Sequence, residues 1–116
     1  MINVLTKSRE LTEVELYLMT VSPAIQVLNT VEDNTSIDVD AWLTFEDKKE
    51  NGEVTELFSI LSKNKKAYCC QSKTFRNSFS EIADIMGEKP FSIIKFSGKT
   101  KANKDYINCM LDISKL

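Results

Sequence analysis

The chain has 116 residues, 42% of them apolar and 28% charged, with a formal net charge of -2. That length suits a single domain large enough to bury a core without staples, and no apolar stretch is long enough to span a bilayer. A net negative charge excludes general attraction to nucleic acid, so any anion-binding surface has to be concentrated locally.

The opening Met1-Ile2-Asn3-Val4-Leu5 lacks the basic start and sustained apolar region of a secretory signal, which makes the cytoplasm the expected address. Thr12 to Met19 reads as a short helix, with a capping threonine and acids in its first turn. Pro23 ends it, and the polar run 32–36 reads as a loop. From Ile37 the period becomes two. Ile37, Val39, Ala41, Leu43 and Phe45 share one face, and Asp38, Asp40, Trp42, Thr44 and Glu46 the other, as in a half-buried strand. Asn51-Gly52 supplies a hairpin turn into a returning strand over 54–61, and a third strand follows at 66–70.

Helical spacing returns with Phe75, Phe79, Ile82, Ala83 and Met86 on one face, Ser72 or Thr74 as the N-cap, and Gly87 as the stop. Two more strands, 91–97 and 105–113, enclose Gly98-Lys99-Thr100-Lys101-Ala102-Asn103-Lys104, a loop with three lysines and no acid. Three strands, a helix and two strands follow the connectivity of the oligonucleotide/oligosaccharide-binding fold, the OB-fold. The expected class is therefore mainly β with minor α: a five-stranded OB-like barrel over residues 37–116, with a helix between strands three and four. Residues 1–36 are expected as an N-terminal helical extension.

In such a barrel the turns between strands one and two and between strands four and five flank the ligand groove, here 47–53 and 98–104. Residues 1–56 carry four basic and twelve acidic side chains and residues 57–116 eleven and five, so positive charge gathers late in the chain. Lys63 and Lys66 in one turn, Lys73 and Arg76 at the helix start, and Lys99, Lys101 and Lys104 are the candidate phosphate contacts. Lys95 alternates with Ile94 and Phe96, which reads as a groove cation or an edge-strand gatekeeper. Single-strand binding also needs aromatic platforms, and Trp42, Tyr68 and Tyr106 fall on suitable strand phases. For Trp42 two readings stand open: stacking on a ligand, or burial under the N-terminal helix.

Catalytic signals are poor. There is no histidine, CxxC, P-loop, nucleophile elbow or dinucleotide fingerprint, so neither enzyme chemistry nor a metal or cofactor is expected. Cys69, Cys70 and Cys109 cannot all pair within one molecule and read as reduced, buried or half-buried side chains.

The segments Ile37-Asp38-Val39-Asp40-Ala41-Trp42, Glu56-Leu57-Phe58-Ser59-Ile60-Leu61, Ser72-Lys73-Thr74-Phe75 and Phe96-Ser97-Gly98-Lys99-Thr100-Lys101-Ala102 running to Tyr106-Ile107 resemble a known family. It is that of the small single-stranded DNA-binding proteins encoded by phages and conjugative plasmids of Gram-positive bacteria. The start, Leu11 to Tyr17 with Ser22-Pro23, is also similar to theirs. The resemblance implies an OB-like, non-enzymatic protein that coats single strands, without sequence preference, in phage or plasmid replication, recombination or transfer. It assigns ligand contact first to the Ser97–Lys101 turn and Tyr106, then to Trp42. The expected partner is single-stranded DNA in the bacterial host cytoplasm; RNA, self-association and a host or replication protein partner stay open. A competing expectation is a small phage protein that inhibits a host protein through its acidic half. A third is an assembly module with Trp42 at a subunit contact.

Overall fold

The computed structural model describes all 116 residues. In chain order its elements are β1 (Ile2–Lys7), α1 (Glu13–Thr20), β2 (Gln26–Val27), β3 (Thr35–Lys48), β4 (Val54–Ser62), β5 (Ala67–Cys70), α2 (Lys73–Met86), β6 (Ser92–Lys99) and β7 (Asp105–Leu111). Single 3-10 turns follow β2 and β7. No helix is long and apolar enough to cross a membrane.

The long alternating run becomes the longest strand, β3, and the other strands are arranged around it. One edge of β3 pairs with β4; the opposite edge is shared, with Thr35–Asp38 bonded to β6 and residues 43–47 bonded to β1. Across the sheet the order is β2-β5-β4-β3-β6-β7, antiparallel except for the two-residue β2–β5 contact. The result is a mainly β molecule, a curled open sheet with two helices. The expected barrel is not closed: β2 takes the edge of β5, and β7 keeps a free edge.

Between Val39 and Ala41 the pairing with β4 slips by one residue, so that Asp40 bulges out of register. A slip of one reverses the side-chain phase of everything beyond it. Ile37 and Val39 accordingly join the larger core with Phe58, Ile60, Phe75, Phe79, Ile93 and Ile107. Past the bulge, Ala41, Leu43 and Phe45 face the other way and form a second core with Met19, Leu61 and Ala67. The five residues read as one face are buried as predicted, but in two cores.

α2 begins where Ser72 Oγ accepts the Phe75 N–H (3.1 Å) and stops at Gly87, whose φ of +60° suits glycine. Its Phe75 and Phe79 are fully buried, and Phe79 sits edge-on to Phe58 at 5.0 Å. α1 opens on a capping box: Thr12 Oγ1 accepts the Glu15 N–H (3.1 Å), and Glu15 Oε1 accepts the Thr12 N–H (2.9 Å).

The N-terminal 36 residues hold more than the expected helix. They supply β1, β2 and the fully buried Met19 and Leu28, so they complete the sheet and both cores. β1 is half-exposed with a register shift and β2 has only two residues, so neither carries a clean alternation to read. A charge network binds the segment to the bulge. Arg9 grips buried Glu15 through two bonds (3.1 and 2.8 Å) and reaches Asp40 at 3.1 Å, while Lys65 lies 3.4 Å from Glu15 and 3.5 Å from Asp40.

The Arg9 guanidinium, helped by the Thr12 N–H, holds the Glu15 carboxyl well below the usual carboxylate range. A lowered folded-state value means the stabilisation is complete above the unfolded value of about 4.5 and drains away as pH falls below it. Glu15→Gln should lower the melting temperature at pH 7, and the gap to the native protein should narrow steadily below about pH 4.5. A series of thermal melts between pH 7 and 3 checks this; a gap independent of pH contradicts it.

Candidate nucleic-acid interface

The lysine loop is a tightly closed hairpin end. Register pairs Gly98 with Tyr106 and Lys99 with Asp105, and the tip is pinned by Thr100 N–H to Lys104 O (2.9 Å) and Asn103 N–H to Thr100 O (2.8 Å). Lys99 is ion-paired with Asp105 at 3.1 Å. Lys101 and Lys104 are exposed and have no acidic partner. The Tyr106 ring lies across Gly98, where an added Cβ would come within 2.6 Å of its hydroxyl, so only glycine admits the ring there.

Tyr106 also borders two adjoining cavities, of about 480 and 490 Å³, along the unpaired seam between β7 and the β2–β5 edge. Asn29, Asp105 and Ile107 line both, and Gln71 and Ser72 close one of them. That places the N-terminus of α2 at the seam, with exposed Lys73 and no acid in its first turn. Unbonded N–H groups and the helix dipole give this end partial positive charge.

Trp42 is elsewhere. The Asp40 bulge turns it toward the larger core, where it is half-buried, edge-on to Phe79 (5.1 Å) and Phe91 (5.9 Å). It does not lie under α1, whose Met19 and Leu16 pack on the second core. Its remaining edge borders a cleft of about 480 Å³ with Lys63 and residues 87–91 beyond the C-terminal end of α2. Tyr106 neighbours one end of a 14-residue helix and Trp42 the other, roughly 20 Å apart at 1.5 Å per residue. The two rings do not share a groove.

Other candidates separate in the same way. Tyr68 is buried in the larger core, and burial raises its hydroxyl pKa, so it offers no stacking face. Arg76 is neutralised by Glu56 at 2.6 Å. Lys63, Lys66 and Lys73 are exposed and free of acidic partners, as a phosphate contact requires. The three cysteines are unpaired and buried, and burial pushes Cys70 up to about 11 and Cys109 up to about 12. No three His, Cys, Asp or Glu groups gather as a metal site.

Lys95 is neither a groove cation nor a gatekeeper. It is 2% exposed, on the core side of β6, where its ammonium donates to Val31 O (2.6 Å) and Asp33 Oδ1 (3.0 Å) while its stem lies among apolar neighbours. The phase of β6 is thus the reverse of its apparent pattern: Ile93 and Lys95 point in, Ile94 and Phe96 point out. Sequence reading passed over Phe96 because the lysine marked the wrong face as exposed. No family model, curated protein or solved structure matches this chain.

Lys95→Met keeps the stem and removes the ammonium, leaving the Val31 carbonyl and Asp33 without their partner. Denaturant unfolding should show a loss of about 1–3 kcal/mol, the usual penalty for an orphaned buried group. Because Lys95 does not reach solvent, the salt dependence of any nucleic-acid complex should be unchanged; an altered slope would return it to the phosphate contacts.

Proposed function

We propose that the sheet is an OB-like barrel left open at one seam, and that the protein binds single-stranded DNA, without sequence preference, through the β6–β7 hairpin beside that seam. Counted from β3, the strands stand in the order 3-2-1-4-5 with α2 between the third and fourth, which supports the barrel reading. One observation carries the functional reading: a tyrosine ring laid open over Gly98, directly below a hairpin tip whose Lys101 and Lys104 have no acidic partner.

Phosphates meet Lys101, Lys104 and, across the seam, Lys73 and the start of α2. A base stacks on Tyr106, a contact every base can make. Neither contact inspects a base edge, so the complex tolerates any sequence, and neither inspects the 2′-hydroxyl, so RNA competes. A non-enzymatic strand-coating role in phage or plasmid replication, recombination or transfer, in the host cytoplasm, follows from this mode of binding. Inhibition of a host protein through an acidic face is the competing reading: Asp33, Asp38, Asp40 and Glu56 are held by Lys95, Lys115, Lys65 and Arg76, while Glu13, Glu32, Glu50 and Glu53 are exposed without an ion-pair partner.

Fluorescence anisotropy with labelled oligo-dT at several salt concentrations tests the reading. Tyr106→Ala should weaken binding by about 1–3 kcal/mol, or roughly 5- to 150-fold. Lys101→Glu with Lys104→Glu should weaken it further and flatten the log-log salt plot by about 0.7 per lysine removed. A native protein that forms no salt-sensitive complex with oligo-dT sinks the proposal.

A further inference from the structure

Four large apolar side chains belong to neither core: Ile94 and Phe96 of β6, Tyr106 and Met110 of β7. Register places them on one face of the hairpin in successive rows, Gly98 opposite Tyr106, Phe96 opposite Asn108, and Ile94 opposite Met110. The other face of these strands carries Ile93, Lys95, Ile107 and Cys109 into the interior, where α2 covers β7. On these outer rows Met110 is exposed and Ile94, Phe96 and Tyr106 are half-buried. A strand that sends its lysine inward and its phenylalanine outward runs against the ordinary preference for burial, and such reversals mark surfaces built for contact.

Resting on the single-strand reading above, we infer that this outer face is a second base-binding subsite, with Phe96 as a platform continuing the track that begins at Tyr106. Rows on one face repeat every second residue, about 6.8 Å, which matches two rises of a stacked strand at about 3.4 Å each. Every second base of a stacked strand can therefore meet the next row of the face. The occupant follows from charge: Lys101 and Lys104 stand free at the Tyr106 end of the rows, to take the phosphates of the strand whose bases lie below. Beyond the far end Asp112 is buried and held by Ser36 (2.6 Å) and Ser114 (2.5 Å). Opposite Phe96, Asn108 is half-buried and its Oδ1 accepts the Cys109 N–H (2.9 Å).

The test combines variants with crosslinking of the native protein. Phe96→Ala should lower affinity for oligo-dT about 5- to 100-fold while the protein keeps its native circular dichroism and a cooperative melt, because the ring belongs to neither core. Phe96→Tyr should restore binding. Photocrosslinking of the native protein to 5-iodouracil oligonucleotides should label peptides containing both Phe96 and Tyr106, a result independent of any variant's folding. If Phe96→Ala binds normally while Tyr106→Ala does not, and only Tyr106 is crosslinked, the subsite is overturned and the single-strand reading stands. If the native protein binds no oligo-dT, both fall together. A Phe96→Ala protein that binds DNA normally but sediments as a smaller species than the native one assigns the face to a second copy of the chain, which also overturns the subsite.

Discussion

A single residue out of register in β3 decides where almost everything else lies. Without the bulge at Asp40, one long strand would present a single apolar face and need one cover. With it, the strand feeds two cores on opposite sides of the sheet, and each needs its own helix: α2 over the larger, α1 over the smaller. The bulged residue is a carboxylate, and Arg9 and Lys65 both reach it. Its charge therefore joins the N-terminal segment to the β4–β5 turn at the point where the sheet changes phase.

Part of the uneven charge of the two sequence halves is used up in this assembly. Acids of the first half pair with bases of the second because β3 and the segment before it run beside β6 and the turn after β4: Asp33 with Lys95, Asp38 with Lys115, Glu56 with Arg76. Exposed pairs of this kind contribute little stability each, so their main effect is on what remains. Positive charge without an ion pair is left on Lys101 and Lys104 of the hairpin, Lys63 and Lys66 of the β4–β5 turn, Lys73 at the start of α2 and Lys89 beyond its end, six of the eleven basic residues of 57–116.

Local signals were legible wherever the period was long and the cap chemistry clear. The capping box at Thr12, the alternation from Ile37, the Asn51-Gly52 turn with its φ of +89° at glycine, and the α2 stripe ending at Gly87 all stand where the residues indicate. What escaped depends on contacts far apart in sequence. A bulge has no composition of its own, so the face of Trp42 could not be read from alternation. A buried lysine has the same letter as an exposed one; only the distant Val31 carbonyl and Asp33 make the interior tolerable for Lys95, and with it the outward turn of Phe96. Of the aromatic candidates, Tyr106 alone combined a readable phase with a local cause, the glycine opposite it.

The position of α1 bears directly on where a single strand can lie. In the proposed OB reading, the usual ligand face is the outer surface of the second and third strands, here β4 and β5. On that surface Leu61 and Ala67 are buried beneath Met19, with Leu16 packed beside them, so the chain's own helix occupies the place where bases would stack. Uncovering it would expose a fully buried methionine and break the Arg9–Glu15–Lys65 contacts, a cost that binding there would have to overcome first. The surface that stays open in the folded protein is the hairpin beyond the seam, where aromatic rings already face outward. A chain that has covered the customary face with its N-terminus therefore has reason to carry Phe96 and Tyr106 on the other side, and to leave Lys101 and Lys104 unpaired above them.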